Sequence, residues 1–549
     1  MRISILIVAS AASIAAMAQS RQEVTLSDDW QFSRDKQTWQ TVSVPHDWAI
    51  GGPFDKKWDL QRVAIEQNGE KEATEKSGRS GALPWIGEGH YKRTIQIPEG
   101  YEHAELVFDG AMAEPRVSLN GQEAGYWAYG YNTFRVDISP YINTGKNLLE
   151  VDLQNVEESS RWYPGAGIYR PVRLVLTGHD WIDQWKTFIR TTELKDGQAT
   201  VAVTVGCGSP LDGWLGFEVE LRDAEGHLVG HQHCSEVDDE GCSQLQFTID
   251  APHLWSPETP YLYQAYIKYI QNGKLLDAVT QKFGIRTVSV SKEGGFQLNG
   301  VTRKIKGVCL HHDLGPLGAA VNKAALIRQI KTMKDMGCDA IRTSHNMPSQ
   351  MQMDICDSLG MMVMAESFDM WLYPKCKNGY ARFFEEWWYE DIEHLILANR
   401  NHPCIVMWSI GNEIPEQGNE KGLEWSENLQ EACHGLDPTR PVTQGLDHAE
   451  ASIKSGVAEL MDIPGFNYRV HKYQNNIEHL PQGFLLGSET ASTVSSRGVY
   501  KFPVAVTDNS QYASWAPTYD PMAIKKADGQ CSSYDVEYCS WSNLPDDDW

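Results

Sequence analysis

Residues 383–413 read FFEEWWYEDIEHLILANRNHPCIVMWSIGNE, and this stretch decides the fold of the C-terminal half of the chain. Over about residues 383–400 apolar side chains recur at helical spacing, which predicts a helix with one apolar face. Residues 405–410 are apolar without alternation, as is typical of a parallel strand buried on both faces. A helix that leads into such a strand is part of a repeating βα unit.

The same alternation extends on both sides of this stretch. We predict a helix over residues 323–336, which Gly337 ends, and seven strands at residues 304–310, 338–344, 361–366, 405–413, 441–446, 461–467 and 484–489. These units predict a (β/α)8 barrel over residues 287–549. No eighth strand can be read unless it lies within residues 531–541. We therefore expect a barrel truncated before its eighth strand, with an unpaired edge that makes the chain fold poorly alone.

Two β-rich regions precede the barrel. Residues 19–178 contain short alternating strands, and Asn120-Gly121 predicts a hairpin because both central positions of such a turn need positive φ. This pattern favours a jelly roll. Residues 179–286 have the size and alternation of an immunoglobulin-like β-sandwich. The predicted fold is multidomain: a jelly roll, an immunoglobulin-like β-sandwich and a TIM barrel.

The first 18 residues predict a signal peptide. Arg2 supplies a short basic region, residues 3–16 supply an apolar run, and Ala16-Met17-Ala18 is a small-x-small cleavage site. The apolar run is too short for a stable anchor, and no later stretch reaches about 18 apolar residues. We expect an exported protein, periplasmic or extracellular, that does not bind a membrane.

The composition argues against several classes of partner. The formal net charge is -25 and Lys/Arg-rich runs are absent, which excludes the basic footprint of a nucleic-acid binder. The 11 cysteines are scattered and odd in number, so a dense disulfide framework is not predicted. His311-His312-Asp313 suggests a metal site, but adjacent strand residues face opposite sides, which favours a sugar contact from one histidine. We expect no metal and no cofactor, and the oligomeric state stays open.

Few polar residues follow the predicted strands at the end where barrel enzymes place their chemistry. They are Arg342, Ser344, His345 and Asn346 after the second strand, Glu366 after the third, Asn412 and Glu413 after the fourth, Asn467 and Tyr468 after the sixth, and Ser488, Glu489 and Thr490 after the seventh. Two carboxylates across a barrel mouth are what hydrolysis of a glycosidic bond requires, about 5–5.5 Å apart in a retaining enzyme. Each glutamate taken singly is equally compatible with an ion pair or a solvated strand end.

Two motifs carry a family resemblance. Asn399-Arg-Asn-His-Pro403 followed by Trp408-Ser-Ile-Gly-Asn-Glu413 resembles the acid/base signature of glycoside hydrolase family 2. Asp339-Ala-Ile-Arg-Thr-Ser-His345 resembles the family's other signature, which more usually has Asn at the first position. The resemblance covers nearly the whole chain, because family members carry a jelly roll, an immunoglobulin-like domain and then a barrel.

The resemblance implies a role for each matching residue. Glu413 matches the general acid/base, and Glu489 in Gly487-Ser-Glu-Thr490 matches the nucleophile. The substrate-binding candidates are Asn412 (a contact to the sugar 2-hydroxyl), His345, Tyr468 (a hydrogen bond to the nucleophile), Arg342, Glu366 and Asp369. Arg342 matches the arginine that keeps the nucleophile ionised, since a nearby guanidinium lowers a carboxylate pKa. Glu413 must hold a proton, so its pKa should be raised.

Two assignments stay open at this point. Glu366 is either a substrate contact or an ion-pair partner of Arg342. The segment Arg161-Trp-Tyr-Pro-Gly-Ala-Gly-Ile-Tyr-Arg170 is similar to the jelly-roll loop of family 2 galactosidases that reaches toward the barrel, and its other interpretation is a structural hairpin.

The resemblance implies a retaining β-glycoside hydrolase that releases a terminal non-reducing β-D-galactosyl residue by double displacement, with a β-galactoside as its carbohydrate substrate. Pro45-His-Asp-Trp48, residues 161–170 and Gly307-Val-Cys-Leu-His-His-Asp313 are similar to exported bacterial β-galactosidases. A β-glucuronidase of the same family is the alternative, although it needs cations for the uronate carboxylate. A β-mannosidase is less favoured. A non-catalytic carbohydrate-binding fragment is the hypothesis from a different class.

Overall fold

The computed structural model describes residues 21–52, 86–157, 159–208, 215–271 and 273–490. The predicted signal peptide and residues 531–541 lie outside these ranges. Within them the chain forms two β-sandwiches followed by a parallel αβ barrel, which confirms the predicted fold class. No helix of the described part is long and apolar enough to cross a membrane.

The first sandwich has ten strands in two antiparallel sheets. One sheet has the order β1-β10-β5-β8 and the other the order β3-β2-β4-β9-β6-β7. The predicted hairpin turn joins β6 to β7, with φ of 54° at Asn120 and 79° at Gly121. The strands are β1 (Arg21–Thr25), β2 (Trp30–Ser33), β3 (Gln40–Val42), β4 (Gly87–Ile97), β5 (His103–Phe108), β6 (Arg116–Leu119), β7 (Gln122–Tyr126), β8 (Phe134–Asp137), β9 (Gly145–Asn155) and β10 (Val172–Thr177).

The second sandwich has seven strands around a core of its own. Its sheets have the orders β11-β12-β15 and β14-β13-β16-β17. Alternate residues of β12 are buried, so one face of that strand lies on the core, as the alternating sequence predicts. The strands are β11 (Phe188–Lys195), β12 (Gln198–Gly206), β13 (Leu215–Arg222), β14 (Leu228–Cys234), β15 (Cys242–Asp250), β16 (Tyr263–Gln271) and β17 (Lys274–Phe283).

The barrel region opens with a small antiparallel meander and continues as seven parallel strands paired in sequence order. The meander is β18 (Val288–Ser291), β19 (Gly295–Leu298) and β20 (Val301–Thr302); the parallel strands are β21 (Gly307–Leu310), β22 (Ala340–Thr343), β23 (Met362–Glu366), β24 (Ile405–Asn412), β25 (Val442–Leu446), β26 (Ile463–Asn467) and β27 (Leu486–Glu489). The helices are α1 (Lys323–Asp335), α2 (Gln350–Leu359), α3 (Phe384–Asn399), α4 (Glu420–Leu436), α5 (Ala449–Ser455), α6 (Val457–Leu460) and α7 (Tyr473–Glu478).

The seven predicted strands and the two predicted barrel helices are confirmed, with shorter strand ends. All eight residues of β24 are buried, as expected for a strand covered on both faces. Helix α2 follows from local signals that the sequence analysis did not use. The Ser349 hydroxyl accepts from the Gln352 amide at its start, and Gly360 with φ of 72° ends it.

The first sandwich packs on the barrel through a buried acid. Asp391 of α3 is fully buried and accepts hydrogen bonds from Trp127 Nε1 at 3.0 Å, Asn132 Nδ2 at 2.9 Å and the Tyr380 hydroxyl. Trp127 and Asn132 belong to the sandwich, whereas Tyr380 belongs to the barrel. Burial raises the pKa of the Asp391 carboxyl to about 7.

The second sandwich docks on the segment between α3 and β24, which contains the first half of the acid/base signature. Asn401 donates from Nδ2 to the Thr187 carbonyl and accepts from the Ile189 amide, both at 2.9 Å. Arg400 donates to the Trp185 carbonyl at 2.7 Å. Arg286, at the end of the second sandwich, donates to the Pro403 carbonyl at 2.8 Å. These side chains therefore hold the two domains together.

We predict that Asp391 makes stability fall as the pH rises. An acid with a pKa near 7 when folded and near ~4 when unfolded stabilises the fold below the unfolded pKa, and this contribution is lost as the pH rises through the folded pKa. Asp391→Asn carries no charge and keeps an acceptor for Trp127 and Asn132. Its Tm should therefore rise relative to the unsubstituted protein between about pH 4 and about pH 7.5 in calorimetry.

Asp391→Ala is the matched control for the hydrogen bonds. It leaves the buried Trp127 and Tyr380 donors without an acceptor, whereas Asn132 keeps the backbone carbonyl of residue 391. The free energy of unfolding should therefore fall by on the order of 3 kcal/mol below about pH 4. The loss should shrink as the pH rises toward about 7, because the variant lacks the carboxyl whose ionisation destabilises the unsubstituted protein. If Asp391→Asn keeps the pH dependence of the unsubstituted protein, another group is responsible for it.

Candidate active site

The predicted site residues meet at one end of the barrel. Because β22, β23, β24, β26 and β27 are parallel, their C-terminal ends lie at the same edge of the sheet. Arg342 and His345 come from the end of β22, Glu366 ends β23, and Asn412 ends β24 with Glu413 directly after it. Tyr468 follows β26, and Glu489 ends β27. Strand order alone thus gathers seven of the eight predicted residues, and Asp369 lies three residues beyond Glu366.

Arg342 is the hub of this cluster. It is 3% exposed, and its guanidinium contacts groups on three other strands. Nη1 lies 2.6 Å from Glu489 Oε1, Nε lies 2.8 Å from Glu366 Oε2, and Nη2 lies 2.9 Å from Asn412 Oδ1. A buried guanidinium is stable only when it is paired with anions and its donors are satisfied, and this arrangement meets both conditions.

Glu489 is held as an anion. Burial is the largest single effect and raises the pKa of its carboxyl, but Arg342, His345 and the Tyr468 hydroxyl together outweigh it. The pKa of Glu489 therefore lies below its ordinary value. The Tyr468 hydroxyl donates to Oε2, while Arg342 donates to Oε1. A carboxylate fixed in this way is ionised and cannot rotate freely, as a nucleophile requires.

Glu413 lies in the opposite electrostatic environment. Burial raises the pKa of its carboxyl, and the charges of Glu489 and Asp447 raise it further. Asn467 Nδ2 donates to the Oε1 atom of Glu413 at 2.9 Å. Glu413 thus has a neutral amide as its partner, whereas Glu489 has the charged guanidinium of Arg342. Its backbone is left-handed, with φ of 47°, and its amide donates to the Gly445 carbonyl at 2.7 Å. Glu413 thus keeps a proton to a higher pH than Glu489 does.

His345 and Glu366 form a second layer behind Arg342. His345 Nδ1 lies 2.7 Å from Glu366 Oε1, and its Nε2 lies 3.6 Å from Glu489 Oε1. Glu366 is 0% exposed, and its other oxygen is shared by Arg342 and the Ser409 hydroxyl. Of the two interpretations of Glu366, the structure therefore supports the ion pair. Protein groups occupy both oxygens of this carboxylate, and the substrate contact of Glu366 stays a prediction.

The segment at residues 161–170 reaches the barrel, as one of its two interpretations predicted. Arg161 Nε and Nη2 donate to the two oxygens of Asp369 at 2.9 and 2.5 Å. At the other end of the segment the buried Arg170 donates from Nη2 to the Met347 carbonyl at 2.8 Å. Trp162, which follows Arg161 in the sequence, has its ring 5.7 Å from that of His345. The first sandwich therefore forms one wall of the site.

The two adjacent histidines diverge as predicted, although both lie beyond the end of β21 at Leu310 and are not strand residues. The His311 ring lies 4.8 Å from the Trp162 ring at the site. His312 points away from it, and its Nε2 lies 2.9 Å from the Pro164 carbonyl oxygen. Burial lowers the pKa of both rings, to about 4 for His311 and about 3 for His312. Both histidines are therefore neutral near pH 7.

Two site residues were missed by sequence reasoning. Asn467 was read as the polar end of a strand and was given no role, although it bonds Glu413. Lys375 lies in the long connection after β23, where no periodicity or motif marks it. Its ammonium lies 3.1 Å from Asp369 Oδ1 and 2.6 Å from the Asn412 carbonyl oxygen. The polar strand-end signal was sufficient to find Asn467, whereas nothing local identifies Lys375.

Three family models match consecutive parts of the chain. The model described as "Glycosyl hydrolases family 2, sugar binding domain" matches residues 12–178, "Glycosyl hydrolases family 2" matches residues 182–286, and "Glycosyl hydrolases family 2, TIM barrel domain" matches residues 288–538.

Relatives of known name agree with these matches. A protein named "Beta-galactosidase BoGH2A" from Bacteroides ovatus is 33% identical over 97% of this chain and 66% of its own length. One named "Putative beta-glucuronidase" from Formosa agariphila is 34% identical over 88% of this chain and 44% of its own length. A crystal structure of a glycosyl hydrolase family 2 member from Bacteroides cellulosilyticus matches with a TM-score of 0.78 and 32% identity, over 86% of this chain and 62% of that one.

This chain thus spans less than two thirds of the length of each of these relatives. The three models nevertheless follow one another in the order of the two sandwiches and the barrel, and they leave only short gaps between residues 12 and 538. The chain belongs to glycoside hydrolase family 2.

Proposed function

We propose that this protein is a retaining β-glycoside hydrolase that releases a terminal non-reducing β-D-galactosyl residue. The observation that carries the proposal is the pair of carboxyl groups with opposed pKa shifts: the pKa of Glu489 is lowered chiefly by Arg342, and the pKa of Glu413 is raised by burial and by the charge of Glu489. Two carboxyl groups pushed apart in pKa at one cleft are what separates a nucleophile from a general acid.

The reaction proceeds in two displacements. Glu489 attacks the anomeric carbon while Glu413 gives its proton to the glycosidic oxygen, so the bond to the leaving group breaks and a glycosyl ester of Glu489 forms. Glu413, now ionised, then takes a proton from a water molecule that attacks the anomeric carbon. The ester breaks, Glu489 regains its charge, and the sugar leaves with its original configuration.

The galactosyl specificity rests on two arguments. The relative from Bacteroides ovatus is named a β-galactosidase. In addition, a uronate needs free cations, and in the described part of the site Arg161 and Lys375 both donate to Asp369 while Arg342 is paired with Glu366 and Glu489. β-Glucuronidase is the second candidate, because the relative from Formosa agariphila carries that name.

We also propose export to the periplasm or beyond. This proposal rests on the sequence of residues 1–18, with Arg2, the apolar run and the Ala16-Met17-Ala18 site.

The proposal predicts the order of rates on a panel of chromogenic β-galactosides, β-glucuronides and β-mannosides. The β-galactoside should give the highest kcat/KM, because the described cations of the site are engaged by carboxylates. Glu489→Gln is the control, since it keeps the shape of the side chain without the nucleophile. A faster β-glucuronide would favour the second candidate. Tight sugar binding with no turnover of any substrate would favour a carbohydrate-binding protein.

Glu489→Ala should lower kcat by roughly a thousandfold or more, since the nucleophile is lost. Azide should restore turnover, because a small anion can enter the space left by the carboxylate and attack the same face of the sugar. The product should be the α-glycosyl azide, identified by NMR. Glu489→Gln fills that space, so azide should not rescue it. A β-configured azide, or rescue of both variants, would contradict the assignment of Glu489.

Glu413→Gln should lower kcat/KM by about 10²–10⁴-fold for alkyl glycosides, whose leaving groups need a proton. Activated aryl glycosides need little protonation, so their glycosylation step should be far less affected. In the unsubstituted protein the rate should fall at high pH as Glu413 loses its proton and at low pH as Glu489 gains one. In Glu413→Gln the fall of the rate at high pH should disappear from the pH–rate profile. Equal losses on both substrates would indicate that Glu413 is not the general acid.

A further inference from the structure

Asp369 connects the first sandwich to the centre of the active site. It is 5% exposed, and its Oδ1 alone receives hydrogen bonds from Arg161 Nη2 at 2.5 Å, Asn412 Nδ2 at 3.0 Å and Lys375 at 3.1 Å. Arg161 belongs to the segment between β9 and β10, and the other three residues belong to the barrel. Arg161 and Asp369 are 208 positions apart, and their ion pair is one hydrogen bond away from Asn412, the residue that precedes Glu413.

The hydrogen bonds of Asn412 fix which way its amide points. Its Oδ1 accepts from Arg342 Nη2 at 2.9 Å and from Asn467 Nδ2 at 3.2 Å. Its Nδ2 gives one of its two hydrogens to Asp369, which leaves the second hydrogen for another acceptor. An amide with both oxygen lone pairs and one N–H engaged cannot flip without breaking three contacts. Its hydrogen bond to Asp369 therefore helps to fix the direction of the second N–H of Asn412 Nδ2.

Asp369 can do this only as an oriented anion. Burial is the largest single effect and raises the pKa of its carboxyl, but Arg161 and Lys375 together outweigh it, so the pKa lies well below its ordinary value. Arg161 contacts both carboxylate oxygens through a planar fork, whereas Lys375 contacts one oxygen as a point charge. Orientation of the carboxylate plane therefore comes from Arg161.

We propose that Arg161 is a positioning residue for the reaction: through Asp369 it sets the Asn412 amide that holds the sugar 2-hydroxyl. The inference rests on the proposed function and on the contact of Asn412 with the 2-hydroxyl, which the resemblance to the family implies. Hydrogen bonds to that hydroxyl strengthen in the transition state of glycoside hydrolysis. The first sandwich accordingly takes part in transition-state stabilisation without touching the reacting atoms.

The test compares a chromogenic β-glycoside with its 2-deoxy analogue, after subtraction of spontaneous hydrolysis. Arg161→Ala should lower kcat/KM for the hydroxylated substrate by about tenfold or more, chiefly through kcat, because the lost interaction is made in the transition state. On the 2-deoxy substrate the loss should stay within about threefold, since there is no hydroxyl for Asn412 to hold. A purely structural role would lower both rates by the same factor.

Two further variants complete the design. Asp369→Asn has the same shape without the charge, and it should show the same selective loss even if Arg161→Ala fails to fold. Arg382→Ala removes another ion pair between the barrel and the first sandwich, that of Arg382 with Glu114, and should change neither rate.

Equal losses on both substrates in Arg161→Ala and Asp369→Asn, with unchanged Tm, would overturn the inference while the proposed function stands. Failure of the unsubstituted protein to hydrolyse any glycoside in the panel would instead overturn the proposed function. If the panel favours another sugar, the comparison is made with the 2-deoxy analogue of that sugar.

Discussion

Arg342 carries a full positive charge where almost no water reaches it, and the rest of the active site is arranged around that charge. The cost of burying a guanidinium is offset only by nearby anions and by acceptors for its N–H groups. Glu366 and Glu489 supply the anions, and Asn412 supplies a further acceptor. These partners come from three different strands, so the barrel must bring β22, β23, β24 and β27 into their correct order before the charge is stable.

The same constraint explains how one cleft can hold two carboxyl groups whose pKa values are shifted in opposite directions. Arg342 touches Glu489, so that side chain is ionised in spite of its burial. Glu413 accepts a hydrogen bond from the neutral amide of Asn467, and the negative charge of Glu489 raises its pKa. Ionisation of one group thus raises the pKa of its neighbour. The pKa values of the acid, Glu413, and of the nucleophile, Glu489, therefore depend on each other.

Sequence reasoning reached the parts of this structure that depend on local patterns. The seven barrel strands follow from apolar runs, and Glu413 and Glu489 stand at strand ends where polar residues are few. It could not decide between two interpretations of Glu366, since the choice depends on a partner 24 residues away. The contact between Arg161 and Asp369 was beyond reach for the same reason, because it depends on how two domains pack. The limits assigned to the domains remain predictions.

The first half of the acid/base signature, residues 399–403, holds the second sandwich against the barrel. In the run at residues 399–403, Asn401 binds the backbone of the second sandwich through both ends of its amide, Arg400 binds the Trp185 carbonyl, and the Pro403 carbonyl receives Arg286. Glu413 lies ten positions after Pro403, the last residue of this run. A relative whose glutamates had been lost through evolution would still need the run in order to join its domains. A search anchored on this run would therefore identify the arrangement of the domains, and the capacity for hydrolysis would have to be judged separately, from Glu413 and Glu489.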